Sequence, residues 1–372
     1  AAAVAMAWYW IDPSQALWIT VSVLVVTCPC ALSLATPIAL TVAAGALAKD
    51  GLLVTRGHAI ETLARATHFV FDKTGTLTRG KMRLLEVGLC ADLTETECLT
   101  IAAALEQSSE HPVASALRHA APGELPVAEQ VLAEAGQGLE AVINGRRYRI
   151  GRPDYALKLN GGELPTSLNL WVDSGDTVVA LADDRGCLAL FRIGDELRPE
   201  AAALVKELLA AGKHVVLLSG DAPSVAQRVG VALGIADVRA GVTPQGKHEC
   251  VTRLQQEGAV VAMVGDGVND APVLAQAQVS VAMGGGAQLA RTQSDFVLLS
   301  ENLDHLRWGL RRAGLTLMVI RQNLWWSFAY NLVALPLAIA GWVPPWLAGI
   351  GMSASSLLVV LNSLRIQRLE KD

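Results

Sequence analysis

The chain has no long run of basic residues and a formal net charge of only −5, so it offers none of the cationic surface that nucleic acid requires. Its six cysteines make no disulfide framework either. Cys90, Cys98, Cys187 and Cys250 are scattered, and only Cys28 and Cys30 stand together. That usage fits a reducing cytoplasmic environment for most of the chain. The first residues show no basic segment followed by a small-residue cleavage site, and no signal peptide is expected. Charge is missing from residues 13–48 and again from residues 322–364, stretches long enough to cross a bilayer. With 52% hydrophobic residues and a mean hydropathy of +0.38, part of these 372 residues is expected in lipid.

What is present is organised around Phe69-Val-Phe-Asp-Lys-Thr-Gly-Thr-Leu-Thr78. A short apolar strand runs into a carboxylate, followed by small hydroxyl and glycine residues that let backbone N–H groups turn toward an anion. Asp72 is the candidate phosphoryl acceptor, with Lys73, Thr74 and Thr76 as neighbours able to neutralise or bind phosphoryl oxygens. An isolated Asp at a strand end also fits a capped turn. The complete run Asp-Lys-Thr-Gly-Thr-Leu-Thr is more specific: it resembles the phosphorylation motif of the P-type ATPases, ion pumps with a haloacid-dehalogenase-like catalytic domain.

Downstream, His214-Val-Val-Leu-Leu-Ser-Gly-Asp221 reads as a buried strand and residues 224–233 as a helix. That alternation predicts a parallel, doubly wound α/β sheet whose ligands collect at the carboxyl ends of the strands, where Asp72, Ser219 and Asp221 would lie. Gly241-Val-Thr-Pro-Gln-Gly-Lys-His248 is a near miss for a P-loop, with His248 where Ser or Thr should bind magnesium and Pro244 within the loop. Lys247 instead resembles the lysine that neutralises the phosphoryl group in haloacid-dehalogenase-like enzymes. Residues 259–270 read as another apolar strand, ending in Asp266 and Asp270, and hard oxygen donors there suit Mg²⁺. Gly-Asp-Gly-Val-Asn-Asp-Ala-Pro resembles the P-type hinge motif. The resemblance implies Asp72, Thr74 and Asp266 at Mg²⁺, with Asn269 and Asp270 in support.

Residues 79–192 read differently, as a helix pair followed by strands, with hairpin signals at Asn144-Gly145 and at residues 183–186. An inserted second domain is the economical explanation. Glu106-Gln-Ser-Ser-Glu-His-Pro112 and Gly136-Gln-Gly138 resemble the nucleotide-binding domain of heavy-metal pumps, which implies Glu106, His111, Gly136 and Gly138 around the adenosine of ATP. After Ile150-Gly151 the family commonly has Asn, where this chain has Arg152.

Residues 1–10 are apolar but half a span, as expected of the tail of a longer helix or an interfacial segment. Between residues 13 and 48, Pro29 and Pro37 predict a broken helix with Thr27-Cys-Pro-Cys-Ala31 at the break. Two thiolates flanking a proline are a soft-ligand pair suited to Cu⁺ and less exclusively to Zn²⁺. Cys-Pro-Cys resembles the transport site of the heavy-metal P-type ATPases. Residues 322–364 predict two helices joined at Gly341-Trp-Val-Pro-Pro345, with basic flanks on the cytoplasmic side. Tyr330, Asn331, Met352, Ser355 and Ser356 are the groups able to face Cys28 and Cys30, and they resemble the Cu⁺-transporting subgroup, with Ser356 taken as the serine ligand. A zinc or cadmium pump would be expected to carry a Lys and an Asp here, and neither occurs.

The expected architecture is a membrane segment over 1–48, a phosphorylation domain over 49–78 and 193–308, a nucleotide-binding domain over 79–192, and a helix hairpin over 313–364. No Thr-Gly-Glu actuator loop and no Cys-x-x-Cys metal-binding domain occur, and the resemblance places both upstream in a longer pump. Tyr148-Arg-Ile-Gly-Arg152 resembles pumps that supply copper for cytochrome oxidase assembly. The implied activity is ATP-driven Cu⁺ export through an aspartyl phosphate. Its implied setting is a bacterial inner membrane with cytoplasmic catalytic domains, lipid around the helices, a cytoplasmic Cu⁺ donor or chaperone, and the actuator region. The alternatives are a Zn²⁺ or Cd²⁺ pump, a membrane-tethered phosphatase of the haloacid-dehalogenase class, and a non-enzymatic metal-binding scaffold. The phosphatase is disfavoured by Thr74, which stands where its general acid would be.

Overall fold

The structure, a computed structural model, describes residues 1–28, 30–134, 136–159, 171, 176–266, 271–285 and 292–368. Two sheets organise the candidate site residues. The first has seven strands in the order β1-β13-β12-β11-β2-β9-β10. These are β1 (Leu52–Val54), β2 (His68–Asp72), β9 (His214–Leu218), β10 (Asp237–Arg239), β11 (Val261–Gly265), β12 (Val279–Ala282) and β13 (Phe296–Leu298). β9 with β10 and β12 with β13 run parallel, while β1 closes the edge antiparallel to β13. Strands covered on both faces need continuous apolar runs, and β11 and β12 are buried at every position.

The second sheet is antiparallel, in the order β3-β8-β7-β6-β5-β4. It comprises β3 (Thr78–Leu89), β4 (Glu129–Glu134), β5 (Gly138–Ile143), β6 (Arg146–Gly151), β7 (Thr177–Asp183) and β8 (Cys187–Leu197). Helices Glu95–Leu105 and Pro112–Ala120 cover one face, and their Leu105 and Leu117 bury against Ile150 and Phe191. Both hairpin signals fold as turns: Asn144 takes φ +53 between β5 and β6, and the Asp183 carboxylate accepts from the N–H groups of Arg185 and Gly186 between β7 and β8. One expectation needs correcting. The insertion opens with the twelve-residue strand β3 and not with the helix pair, because β3 is largely exposed and its charged residues hide the alternation.

The described chain divides into two compact units, Ala1–Phe69 with Val251–Met263 and Gly267–Asp372, and Val70–Cys250 with Val264–Asp266. In the first unit, Ala2–Ile11 is helical, and Pro13–Val26 follows with Asp12 as its cap. The helix stops at Thr27, whose hydroxyl bonds back to the Val23 carbonyl at 2.8 Å, and resumes as Cys30–Lys49. Asp304–Ile339 and Pro345–Leu364 form the hairpin, turning at Gly341 with φ +79. Among the described residues, Pro13–Lys49 and Pro345–Arg368 are long and apolar enough to cross a membrane. Asp304–Ile339 has the length but carries inward polar groups. Its Asn323 donates to Ser363 Oγ at 3.0 Å, and Asn362 donates to Asn323 at 2.9 Å.

Candidate functional site

Strand β2 ends on Asp72 at the carboxyl edge of the first sheet. The chain then turns at Gly75, φ +71, where a Cβ would sit 2.7 Å from Asp266 Oδ2. Only glycine lets this turn close over that carboxylate. Asp72 is buried at 6% exposure and contacts the Lys247 ammonium, itself buried. A buried carboxylate persists as an anion only with such a partner. Lys247 stands in the first turn of helix Pro244–Gln256, which Thr243 starts by accepting from Gly246 N–H at 3.1 Å. Pro244, expected inside a loop, therefore begins a helix, as its fixed φ and missing N–H allow.

Lys73 is buried and its Nζ lies 2.6 Å from Asp221 Oδ2. Ser219 donates to the same oxygen at 2.8 Å and accepts from Asp221 N–H at 3.1 Å. Burial pushes the Asp221 carboxyl up, but the hydrogen bonds from Lys73 and Ser219 and the charges of Lys73 and Lys247 outweigh it and hold the group below its ordinary value. Thr74 is exposed at the mouth of the site. Asp72 and Asp266, at adjacent strand ends under the Gly75 turn, form an oxygen donor set of the kind Mg²⁺ takes. Asn269 and Asp270 lie outside the described residues.

Two supporting residues, one of them the last of the quoted motif, were given no role by the sequence reading. Arg198 donates from Nε to the Thr76 carbonyl at 2.9 Å and from Nη2 to the Gly75 carbonyl at 3.2 Å, bracing the turn after Asp72. Thr78 contacts the Asp195 carboxylate and lies 2.9 Å from the Lys73 carbonyl, pinning β3 to β8 where they leave the site. The Arg198 contacts and the Thr78–Asp195 contact are long-range pairings that linear spacing does not encode.

Glu106, Ser109, His111, Gly136, Gly138 and Arg152 line a cavity of about 430 Å³ in the second sheet. His111 caps helix Pro112–Ala120, its Nδ1 accepting from Val113 N–H at 3.3 Å. Arg118 folds the preceding turn by donating to the carbonyls of Glu106 and Ser109. A Cβ on Gly138 would meet the Ile150 carbonyl at 2.1 Å, so glycine is needed there for space; Gly136, at φ +74, needs it for conformation. Burial pushes the Glu106 carboxyl up, against the opposing pull of Ser109, His111 and Arg118. Arg152, the departure from the family pattern, lines this cavity with the residues the resemblance implied.

In the first unit, Cys28, Ser327, Tyr330, Asn331, Met352 and Ser355 surround a space of about 10 Å³. Cys30 is joined to Cys28 as a disulfide with Cα atoms 5.5 Å apart, so the expected dithiolate is the reduced form of this pair. The serine on the wall is Ser355, which accepts from Trp326 Nε1 at 3.1 Å; Ser356 is half-buried and outside that wall. Ser355 and Ser356 flank Met352 at helical spacings of three and four, and the cavity opens on the Ser355 side. A Cβ on Gly351 would sit 2.8 Å from the Tyr330 hydroxyl, so that glycine admits the tyrosine to the cavity.

Residues 66–278 match the family described as haloacid dehalogenase-like hydrolase. The chain is 39% identical over 367 residues to "Probable copper-exporting P-type ATPase V" of Mycobacterium tuberculosis, covering 97% of this chain and 48% of that protein. It is 42% identical over 345 residues to "Nitrogen fixation protein FixI" of Bradyrhizobium diazoefficiens, covering 93% and 46%. Among solved structures it resembles a zinc-transporting PIB-type ATPase in the E2.Pi state, with TM-score 0.83 and 36% identity over 92% of this chain and 57% of that one. The chain spans about half the length of the curated relatives it matches. Its sheet topology, the Asp72–Lys247 contact and the family match agree: the chain belongs to the haloacid dehalogenase-like hydrolases, and relatives it resembles are named as P-type ATPases.

Proposed function

We propose that this chain is the phosphorylation, nucleotide-binding and transport-site portion of an ATP-driven Cu⁺ pump. ATP sits in the cavity of Glu106, His111, Gly136 and Gly138, with residues 79–192 as the nucleotide-binding domain. An Asp72 oxygen attacks the γ-phosphorus, the bond from phosphorus to the bridging oxygen breaks, and ADP leaves with the electron pair. Lys247 offsets charge on the transferring group, while Thr74 and Ser219 bind its oxygens and Lys73 holds Asp221 in place. Mg²⁺, when bound by Asp72, Thr74 and Asp266, supplies further neutralisation, with Asn269 and Asp270 supporting it.

The observation that carries the choice of ion is the wall of the small cavity: sulfur from Cys28 and Met352, hydroxyl and amide from Tyr330 and Asn331, and no Lys, Asp or Glu among the described lining residues. Soft donors without a compensating carboxylate suit a monovalent soft cation better than a divalent one. Cu⁺ arrives from a cytoplasmic donor and leaves across a bacterial inner membrane, with the actuator region hydrolysing the acyl phosphate. The zinc pump among the structural relatives favours Zn²⁺ as the second reading.

The test is phosphorylation from γ-³²P-ATP under reducing conditions, comparing Cu⁺ with Zn²⁺. Cu⁺ should raise an acid-stable, hydroxylamine-sensitive label that Asp72→Asn abolishes and Cys28→Ser uncouples from Cu⁺. Stimulation by Zn²⁺ alone would transfer the assignment to the divalent ion, and a label surviving Asp72→Asn would remove the phosphoryl acceptor.

A further inference from the structure

The nucleotide-site sheet carries a second thiol pair, far along the chain from Cys28 and Cys30. Strand β3 ends at Leu89 opposite Ala189 of β8, and Cys90 continues the ladder by donating its N–H to the Leu188 carbonyl at 2.9 Å. That register brings Cys90 beside Cys187, the first residue of β8, and the Cys187 thiol donates to Cys90 Sγ across 3.0 Å. Both are half-buried. They line a cavity of about 480 Å³ that also presents Arg146, Arg185, Asp92 and Asp183, with the Arg146 guanidinium paired to the Asp183 carboxylate.

Two sulfurs this close, on strands fixed by a hydrogen-bonded ladder, need only about 1 Å of approach to reach bonding distance. We propose that Cys90 and Cys187 are a redox-active dithiol, closed to a reversible intrachain disulfide by a small anionic disulfide of the glutathione class that enters this cavity. The Arg185 guanidinium suits a carboxylate of such a molecule and the Asp92 carboxylate its ammonium group.

The chemistry balances with that oxidant. The Cys90 thiolate attacks one sulfur of the small disulfide, whose S–S bond breaks and releases one thiolate. Cys187 loses its proton to that leaving thiolate and attacks the Cys90 sulfur of the mixed disulfide, expelling the second. Two protein thiols are oxidised and one disulfide is reduced to two thiols. The roles are unequal. The hydrogen bond from Cys187 holds the Cys90 thiol below its ordinary value, and the same bond, reinforced by burial, pushes Cys187 up. Cys98 is fully buried and pushed up to about 11 by burial, which leaves it an inert thiol.

The test needs no activity. The full chain in detergent is equilibrated with oxidised and reduced glutathione across a series of ratios, acid-quenched, alkylated and mapped by mass after cleavage at glutamate. Cleavage at Glu95 and Glu97 separates Cys90 from Cys98. A peptide linking Cys90 to Cys187 should appear in most molecules at the oxidising end and vanish at the reducing end. In the reduced chain, iodoacetamide should modify Cys90 at least about tenfold faster than Cys98 at neutral pH. Separate alkylation of Cys90 and Cys187 at every ratio would overturn the proposal, as would linkage of either to Cys98 or Cys250 in equal yield.

Discussion

Lys73 and Asp221 form an ion pair of 2.6 Å, and the Asp72 carboxylate contacts a second ammonium, that of Lys247. The two contacts divide the labour of a crowded, buried site. Lys247 comes from a helix start and faces the acid proposed to be phosphorylated, whereas Lys73 ties the turn after β2 to the end of β9. Removing Lys247 should therefore act mainly on the chemistry. Lys247→Met is expected to lower the acid-stable phosphoenzyme by about a hundredfold, the scale for losing one preorganised charge at a reacting centre. Nucleotide affinity, read by fluorescent-nucleotide titration, should stay within about twofold.

Glu106 gives a pH signature. Its carboxyl is held above the ordinary value by burial, so the folded chain keeps this proton where the unfolded chain has released it. Stability should fall as pH rises from the ordinary carboxylate value through the raised one, then level off. Glu106→Gln should flatten that part of the profile and raise the midpoint of thermal unfolding at neutral pH. Scans between pH 4 and 8 check both the sign and the window.

The two glycines of the cavity proposed to hold nucleotide should fail differently. Gly138→Ala forces a methyl into the Ile150 carbonyl and is expected to cost about 1–3 kcal/mol, with loss of nucleotide binding. Gly136→Ala meets no atom within 4 Å, and its cost of about 1 kcal/mol is conformational only. Urea unfolding alongside nucleotide titration separates the two cases.

Asp50 and Arg312 make a buried pair, with Nη2 to Oδ2 at 2.6 Å, and Arg312 also contacts the Ile366 carbonyl. Asp50→Asn leaves a cation buried with no carboxylate charge in this pair and should destabilise by about 3–5 kcal/mol. The double variant Asp50→Asn with Arg312→Met should recover much of that loss in thermal unfolding of the detergent-solubilised chain.

Gly351 is the test of the cavity wall. A methyl there pushes on the Tyr330 hydroxyl at 2.8 Å. Gly351→Ala should raise the Cu⁺ concentration needed for half-maximal phosphorylation by about tenfold. The ATP dependence should not move.

Much of this was legible in the sequence, for a physical reason. A parallel sheet buries both faces, so β2, β9 and β11 announce themselves as apolar runs, and the residues at their carboxyl ends, Asp72, Ser219 and Asp266, follow from topology. Glu106, His111, Gly136 and Gly138 were grouped by resemblance alone, since a capped helix and a glycine pair are weak local signals, and the structure brings them to one cavity. The exposed strand β3 was not, since its burial pattern has no period to read. Nor were Arg198 and Thr78, whose partners lie more than a hundred residues away. Ser355 and Ser356 could not be separated by spacing alone, because both flank Met352 on one helical face.

The space enclosed by Cys28, Tyr330, Asn331 and Met352 is about the volume of one water-sized sphere. On the Cu⁺ reading proposed above, an ion lodged there would have exchanged its hydration shell for protein atoms one ligand at a time. Passage would then resemble a handover between grips more than flow through a pipe, and a strongly hydrated ion of the same charge would be turned away by the cost of stripping it.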